Sequence, residues 1–322
     1  MRSQMKQLVL HMPAGVIAPM RRGVISPLRA YFRYVPWRLG KEWLWRTVAA
    51  HLWWLEGTVT AATRSGDMLT IDASDIVGRY IYYFGIWEPN LTEWLRRVLR
   101  PGDVFVDVGA NIGYFSVLAS RLVGPDGLVV AVEPIPELHR QLEQNIAANG
   151  IANVRAVCGA AWDAHTSLDM FTREAGPSGT STAYASWAER WHLVSAATVP
   201  AMPLSATLHP REIARARVIK IDAEGAEWRI IRGLYDVLSA SRPDLEIVVE
   251  VAPKLLEQDH SSPEAIAALL AQHGFHPYRL DNKYEASAYY NGESVRPTRM
   301  NAWPEGVEQL DIIFSRSNSS VL

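Results

Sequence analysis

Val104-Phe105-Val106-Asp107-Val108-Gly109-Ala110-Asn111-Ile112-Gly113 runs from five mostly apolar residues straight into a loop with glycines at 109 and 113. A short apolar run ended by a turn suits a parallel strand buried on both faces. Gly113 to Val123 then carries a helical pattern, and Gly124-Pro125-Asp126-Gly127 is a turn. The alternation repeats outward. Leu128 to Val132 is a second buried strand. Pro136 to Asn149 is a helix with Leu138, Leu142 and Ile146 on one stripe, Pro136 in its first turn and Gly150 at its end. Val154 to Ala161 reads as a third strand, Arg217 to Ile221 as a fourth with a helix over 226–238, Glu246 to Val251 as a fifth, and Leu310 to Phe314 as the last. Ser262 caps a further helix from Pro263 to His273. Strands and helices alternating at these lengths predict a doubly wound α/β domain over 100–316.

In such a sheet, ligands bind beyond the carboxyl ends of the strands, near the point where strand order reverses. The loop 107–113 is one such end. Glycines let the backbone turn and approach a ligand, and the following helix offers free N–H groups. The second strand ends in Glu133, twenty residues after Gly113. An acid there can accept both hydroxyl hydrogens of a ribose, so the pair points to an adenosine cofactor. Asn111 stands where a dinucleotide loop has its second glycine, which disfavours a nicotinamide enzyme. The third strand runs into Ala161-Trp162-Asp163, where small residues could flank an adenine and Asp163 could meet its amine or cap a turn.

The fourth strand ends in Lys220-Ile221-Asp222-Ala223-Glu224-Gly225-Ala226-Glu227 and the fifth near Glu250. If these strands are neighbours, Asp222 and Glu250 face one cleft and could hold a proton, a cation or a substrate hydroxyl. Glu227 reads as a helix N-terminal acid. Two hard ligands are few for a dedicated divalent metal, so no metal site is assigned. His165 and His192 are weaker candidates beside the 164–212 insertion. That insertion lacks a strong pattern, holds Tyr184, Trp187 and Trp191, and reads as lid and acceptor pocket.

These motifs resemble the FkbM family of S-adenosylmethionine (SAM)-dependent methyltransferases. The resemblance rests on Val106 to Ser116, Glu133-Pro134, Ile219 to Glu227, Val249-Glu250-Val251 and the upstream Gly85-Ile86-Trp87-Glu88-Pro89, and it covers residues 80–316. It implies a Rossmann-like, seven-stranded class I methyltransferase fold. It also implies a SAM site made from Asp107, Gly109, Ala110, Asn111, Gly113, Tyr114, Phe115, Glu133 and Pro134, with Glu88, Ala161 and Asp163 added. Many members look like O-methyltransferases acting on sugars or natural products, so Asp222 is the first choice for base or substrate orienter and Glu250 the second. The competing expectation is a SAM-binding partner protein without catalysis.

The chain has 322 residues and a formal charge of −2, which gives no reason to expect a nucleic-acid partner. The single Cys158 fits a cytoplasmic setting, and no apolar run is long enough to span a bilayer. Residues 1–75 form a basic, Trp-rich extension, followed by the catalytic domain over 76–322. A helix is expected over 38–56, a strand over Met68 to Ile71 and a helix from Glu88 to Leu99. Residues 29–54 gather Arg29, Arg33, Arg38, Lys41 and Arg46 with Trp37, Trp43, Trp45, Trp53 and Trp54. Such a mixture suits a peripheral membrane contact and a glycolipid acceptor; the alternatives are a helical cap over the active site or a homodimer contact.

Overall fold

The computed structural model describes residues 23, 25–35, 40–49, 57–174, 181–282, 284–291 and 295–322. The chain divides into two compact units: one runs up to Pro89 and takes in 283–293, and the other holds 90–282 and 294–322.

In the first unit, β1 (Thr58–Ala62) and β2 (Met68–Asp72) form an antiparallel hairpin. The helix Ile76–Phe84 follows, capped by Asp75, whose carboxylate accepts from Val77 N at 3.1 Å. Phe32, Trp45, Tyr80, Tyr83, Phe84 and Tyr289 meet edge-on or tilted in its core. Of the basic and Trp-rich set, Trp45 and Lys41 are buried, whereas Trp43 is 64% exposed. Trp37, Arg38, Trp53 and Trp54 lie outside the described residues, as do 39, 50–52, 55 and 56 of the helix expected over 38–56; within the described 40–49, Lys41–Thr47 is α-helical. Among the described residues, no helix is long and apolar enough to cross a membrane.

The second unit is built on a large sheet of β3 (Val104–Val108), β4 (Leu128–Glu133), β5 (Val154–Cys158), β10 (Ala216–Ile221), β11 (Glu246–Val251), β12 (His276–Leu280), β13 (Thr298–Arg299) and β14 (Leu310–Ser315). Its order is β13-β12-β14-β11-β10-β3-β4-β5, and the five strands from β11 to β5 run parallel. β14 lies antiparallel between β11 and β12. Leaving aside the two-residue β13, this is a seven-stranded Rossmann-like sheet, as the motifs imply. β3 is buried at all five positions and β4 at five of six, which is why both read as continuous apolar runs. Helices Tyr114–Val123, Pro136–Ala148 and Glu227–Leu234 connect the strands.

The third strand needs correction. It breaks at Gly159: β5 pairs with β4, while β6 (Ala160–Trp162) leaves the sheet and pairs with β9 (Val194–Pro203). The insertion is not patternless either. β6, β9, β7 (Thr166–Thr172) and β8 (Ser181–Thr182) make a second, four-stranded sheet, with a short helix at Ala185–Arg190.

Candidate active site

Strand order reverses between β3 and β10, so their carboxyl ends, with that of β4, open the crevice where this architecture places ligands. The loop after β3 is tied down by its neighbours. Gly109 N and Ala110 N both donate to Val132 O, at 2.9 and 3.1 Å. Gly109 has φ +76°, and a Cβ there would lie 1.8 Å from the Asp222 carbonyl oxygen. Asp222 N in turn donates to Val108 O at 3.1 Å. The close approach that demands glycine is therefore between the two loops themselves. Asn111 is left-handed at φ 52°, steadied by its Oδ1 accepting from Ile112 N at 2.8 Å.

Two buried acids line this loop. Glu133 accepts from Asn111 N through Oε2 at 2.8 Å and from Ile135 N through Oε1 at 2.9 Å. Burial pushes its carboxyl up to about 7, and these two backbone bonds oppose the shift. A carboxylate offers about four lone-pair sites, so each oxygen still has one for a ligand hydroxyl. Asp107 accepts from Ser116 Oγ at 2.6 Å through Oδ2. Its Oδ1 is buried with no hydrogen-bond partner among the described residues. Burial raises the Asp107 carboxyl, and Lys220 pulls it back.

The loop after β10 concentrates charge. Lys220 Nζ donates to Asp222 Oδ2 at 2.9 Å and lies 5.2 Å from the centre of the Phe115 ring. Glu227 is buried and accepts from Ala223 N at 3.0 Å and Gly225 N at 3.1 Å, so it closes its own loop; burial pushes it up to about 7. Glu224, left-handed at φ 49°, is pushed up to about 8 by burial and by the Asp222 and Glu227 charges, against Arg173 and Lys220.

β10 and β11 are neighbours, with Ile221 opposite Val249. Asp222 and Glu250 follow directly on that pair at the carboxyl ends of the two strands, and Glu250 is half-buried. Glu250 in turn pairs across with Asp311 at the start of β14. Asp311 is buried and accepts from Asn282 Nδ2. Burial pushes its carboxyl up to about 7; the Asn282 bond lowers it, the Asp222 charge raises it and Lys220 lowers it. Asp311 thus belongs to the same edge, although no motif marks it. Its strand runs backwards, which puts an early residue of β14 at the carboxyl ends of its neighbours. Lys220 is visible within the motif, but its partnership with Asp222 needs the structure.

The other expected residues are distributed unevenly. Tyr114 and Phe115 are buried at the start of the helix after the glycine loop, Tyr114 Oη lying 3.2 Å from Thr92 Oγ1. Ala110 packs with Ala131 and Leu142, and Pro134 is half-buried beside Glu133. Ala161 is buried on β6. Asp163 forms ion pairs with Arg229 at 3.2 Å and Arg232 at 3.4 Å. Glu88 is buried in the first unit, where it accepts from Tyr284 Oη at 3.0 Å. His165 and His192 are exposed. The insertion does reach the second loop: Thr182 Oγ1 donates to Glu224 O at 3.3 Å, and Tyr184 Oη donates to Asp259 at 2.5 Å. Arg229 Nε holds the other oxygen of Asp259 at 2.7 Å.

The chain has relatives. Residues 107–277 match the methyltransferase FkbM domain. The chain is 34% identical over 61 residues to a protein-L-isoaspartate O-methyltransferase of Methanococcus aeolicus, a stretch covering 19% of this chain and 28% of that protein. It is 27% identical over 243 residues to the AMB antimetabolite synthetase AmbE of Pseudomonas aeruginosa, covering 66% of this chain and 11% of that protein. The matches thus span less than a third of these relatives' length. Among solved structures, M. jannaschii TYW2 in complex with AdoMet aligns with a TM-score of 0.41 at 14% identity, over 81% of this chain and 88% of that one. The family match covers more than half of the chain and takes in both loops, so the chain belongs to the FkbM methyltransferase domain family, whose cofactor is SAM.

Proposed function

We propose that this protein is a SAM-dependent methyltransferase that transfers the methyl group to a hydroxyl of a small-molecule or sugar acceptor. The observation that carries the reading is the juxtaposition at one sheet edge: a diol-sized acceptor pair on Glu133, an Asp107 oxygen unpartnered among the described residues, and a cluster of carboxyls around Asp222. The chain's residues fit the cofactor. Glu133 offers one acceptor per oxygen to the ribose hydroxyls. Asp107 Oδ1, which costs about 1–3 kcal/mol while unpaired, offers an acceptor to the methionine ammonium. When bound, SAM supplies a methyl group already activated by its sulfonium.

What remains for the protein is to orient a nucleophile and take its proton. Positioning supplies on the order of 7–11 kcal/mol in well-oriented reactions. Lys220 fixes Asp222 through one oxygen, leaving the other to an acceptor hydroxyl. Glu250 and Asp311 stand beside it as further proton acceptors, and a carboxyl near 7 is matched to proton transfer at neutral pH. The insertion's Thr182 and Tyr184 cover this loop and suit a lid. Short matches to O-methyltransferases and to an arsenite methyltransferase of Halobacterium salinarum agree on methyl transfer and differ in acceptor. The hydroxyl acceptor is inferred from the carboxyl cluster.

Calorimetric titration with SAM, S-adenosylhomocysteine and NAD tests the cofactor. Binding of NAD and not SAM overturns the reading. Transfer of labelled methyl from SAM across a panel of sugars and polyols, lost in Asp222→Asn with SAM affinity retained, supports the hydroxyl acceptor.

A further inference from the structure

The opposite edge of the large sheet carries a cleft of about 830 Å³, lined by the first residues of β11, the last of β14 and the chain that follows it. Arg97, Arg217, Arg296 and Arg316 line it, against two acids, Asp244 and Glu246. Both acids are already engaged. Arg217 Nη1 donates to Glu246 at 3.0 Å, and Arg242 grips Asp244 at 2.5 and 2.8 Å. Arg316 is held by neutral acceptors: His273 O at 3.0 Å, Arg242 O at 2.8 Å, Leu238 O at 2.9 Å and Ser241 Oγ at 3.2 Å. Its hydrogen bonds therefore fix it in place without cancelling its charge. Arg97 and Arg296 are exposed on the rim. The chain as a whole carries −2, so this positive edge is a local feature.

The rest of the cleft is apolar. Val98, Pro243 and Val321 line it, and Val321 is 41% exposed. An arginine rim beside an apolar wall is complementary to a molecule with an acidic head and a hydrocarbon or aromatic body. We infer that this cleft is a second ligand site, taking an amphipathic organic anion such as a phosphate monoester or carboxylate of an apolar alcohol or acid. It lies at the other ends of the strands from Asp107, Glu133 and Asp222, so it is separate from the cofactor crevice and its occupancy does not depend on methyl transfer.

The probe is n-octyl phosphate, titrated by calorimetry into the full chain at low salt, with inorganic phosphate alongside. The expected result is saturable one-to-one binding, at least about tenfold tighter than inorganic phosphate, and unchanged by saturating SAM. Removing two charged hydrogen-bond donors in Arg97→Ala/Arg296→Ala should weaken binding about tenfold or more. Val321→Ser should weaken it through the apolar wall. Both variants change exposed side chains and should keep the wild-type unfolding midpoint. No saturable binding overturns the proposal. So does affinity unchanged in both variants, or inorganic phosphate binding as tightly as the octyl ester.

Discussion

The loop after β3 and the loop after β10 both leave a buried strand and bend through left-handed residues. Each is held by a buried glutamate that accepts backbone N–H bonds. The source of that glutamate differs. Glu133 comes from the next strand and grips Asn111 from outside, leaving part of each carboxylate oxygen open. Glu227 belongs to its own loop and folds back on Ala223 and Gly225. The first arrangement leaves lone pairs on both oxygens of its capping acid. The second uses both oxygens of its capping acid on its own backbone, next to the Asp222 charge. Under the proposed function, similar local physics yields a holding site on one side of the switch point and a proton-handling site on the other.

The contact between the loops is the part most exposed to attack. Gly109→Ala places a methyl 1.8 Å from the Asp222 carbonyl in a backbone of φ +76°. Both loops must move apart, and the expected loss is about 3 kcal/mol or more in a denaturant titration. Gly150→Ala is the control: its φ is +60° but nothing lies within 4 Å, so only the backbone penalty of about 1 kcal/mol applies. Equal losses at the two sites would mean that the loops do not press together.

The capping glutamates test the division of labour. Glu133→Gln turns an amide NH2 toward one of the two backbone N–H groups, at a cost of about 1–3 kcal/mol in stability. It also removes a ribose acceptor, so SAM affinity should fall about tenfold or more. Glu227→Gln should cost similar stability and leave SAM affinity within about twofold. If both variants lose SAM equally, the two loops do not divide holding from chemistry.

The same acids set the pH dependence. Glu133 and Glu227 titrate near 7 in the folded protein and near 4.5 as free side chains. A carboxyl whose folded value is raised binds more protons folded than unfolded between those limits. Its contribution is fully present below 4.5 and is lost as the pH rises through 7. Asp311, also pushed up to about 7, adds in the same direction. The unfolding midpoint should therefore rise as pH is lowered from about 8 to 5, and Glu227→Gln should flatten that slope. A midpoint that falls over this range contradicts the burial of these acids.

What could be read in advance follows the burial pattern. β3, β4, β10 and β11 are covered on both faces and announce themselves as apolar runs. β7 and β9 bury only two of seven and two of ten positions, so their alternation is faint and the insertion shows no strong pattern. β12 is His276-Pro277-Tyr278-Arg279-Leu280, whose side chains give no strand pattern; its place comes from pairing with β14. The chain around Gly159 stays extended while changing sheets, which no local signal records. The site divides in the same way. Gly109 and Glu133 are legible because their spacing follows from one βαβ unit, and Asp222 because it ends a buried apolar strand within a charged motif. Asp311 lies 89 positions beyond Asp222 on an antiparallel strand, and Asp163 is drawn off by Arg229 and Arg232 on a helix.

The smallest expected effect separates the two loops at their left-handed, non-glycine residues. Asn111 and Glu224 share nearly the same backbone, φ 52° and 49°. Asparagine tolerates that region because its side chain bonds locally, and here Oδ1 accepts from Ile112 N at 2.8 Å. Among the described residues no such local bond steadies Glu224: burial and the Asp222 and Glu227 charges push its carboxyl up. Asn111→Gly removes a useful hydrogen bond and loosens the unfolded chain, so it should cost about 0.5–1 kcal/mol. Glu224→Gly relieves the backbone and a like-charge contact, which outweighs the same entropy loss, and should stabilise by about 0.5 kcal/mol. Denaturant midpoints measured at pH 8, where more of Glu224 is ionised, should show the larger separation. Shifts of the same sign in the two variants would show that strain is shared equally, and that the charged loop is no less relaxed than the loop after β3.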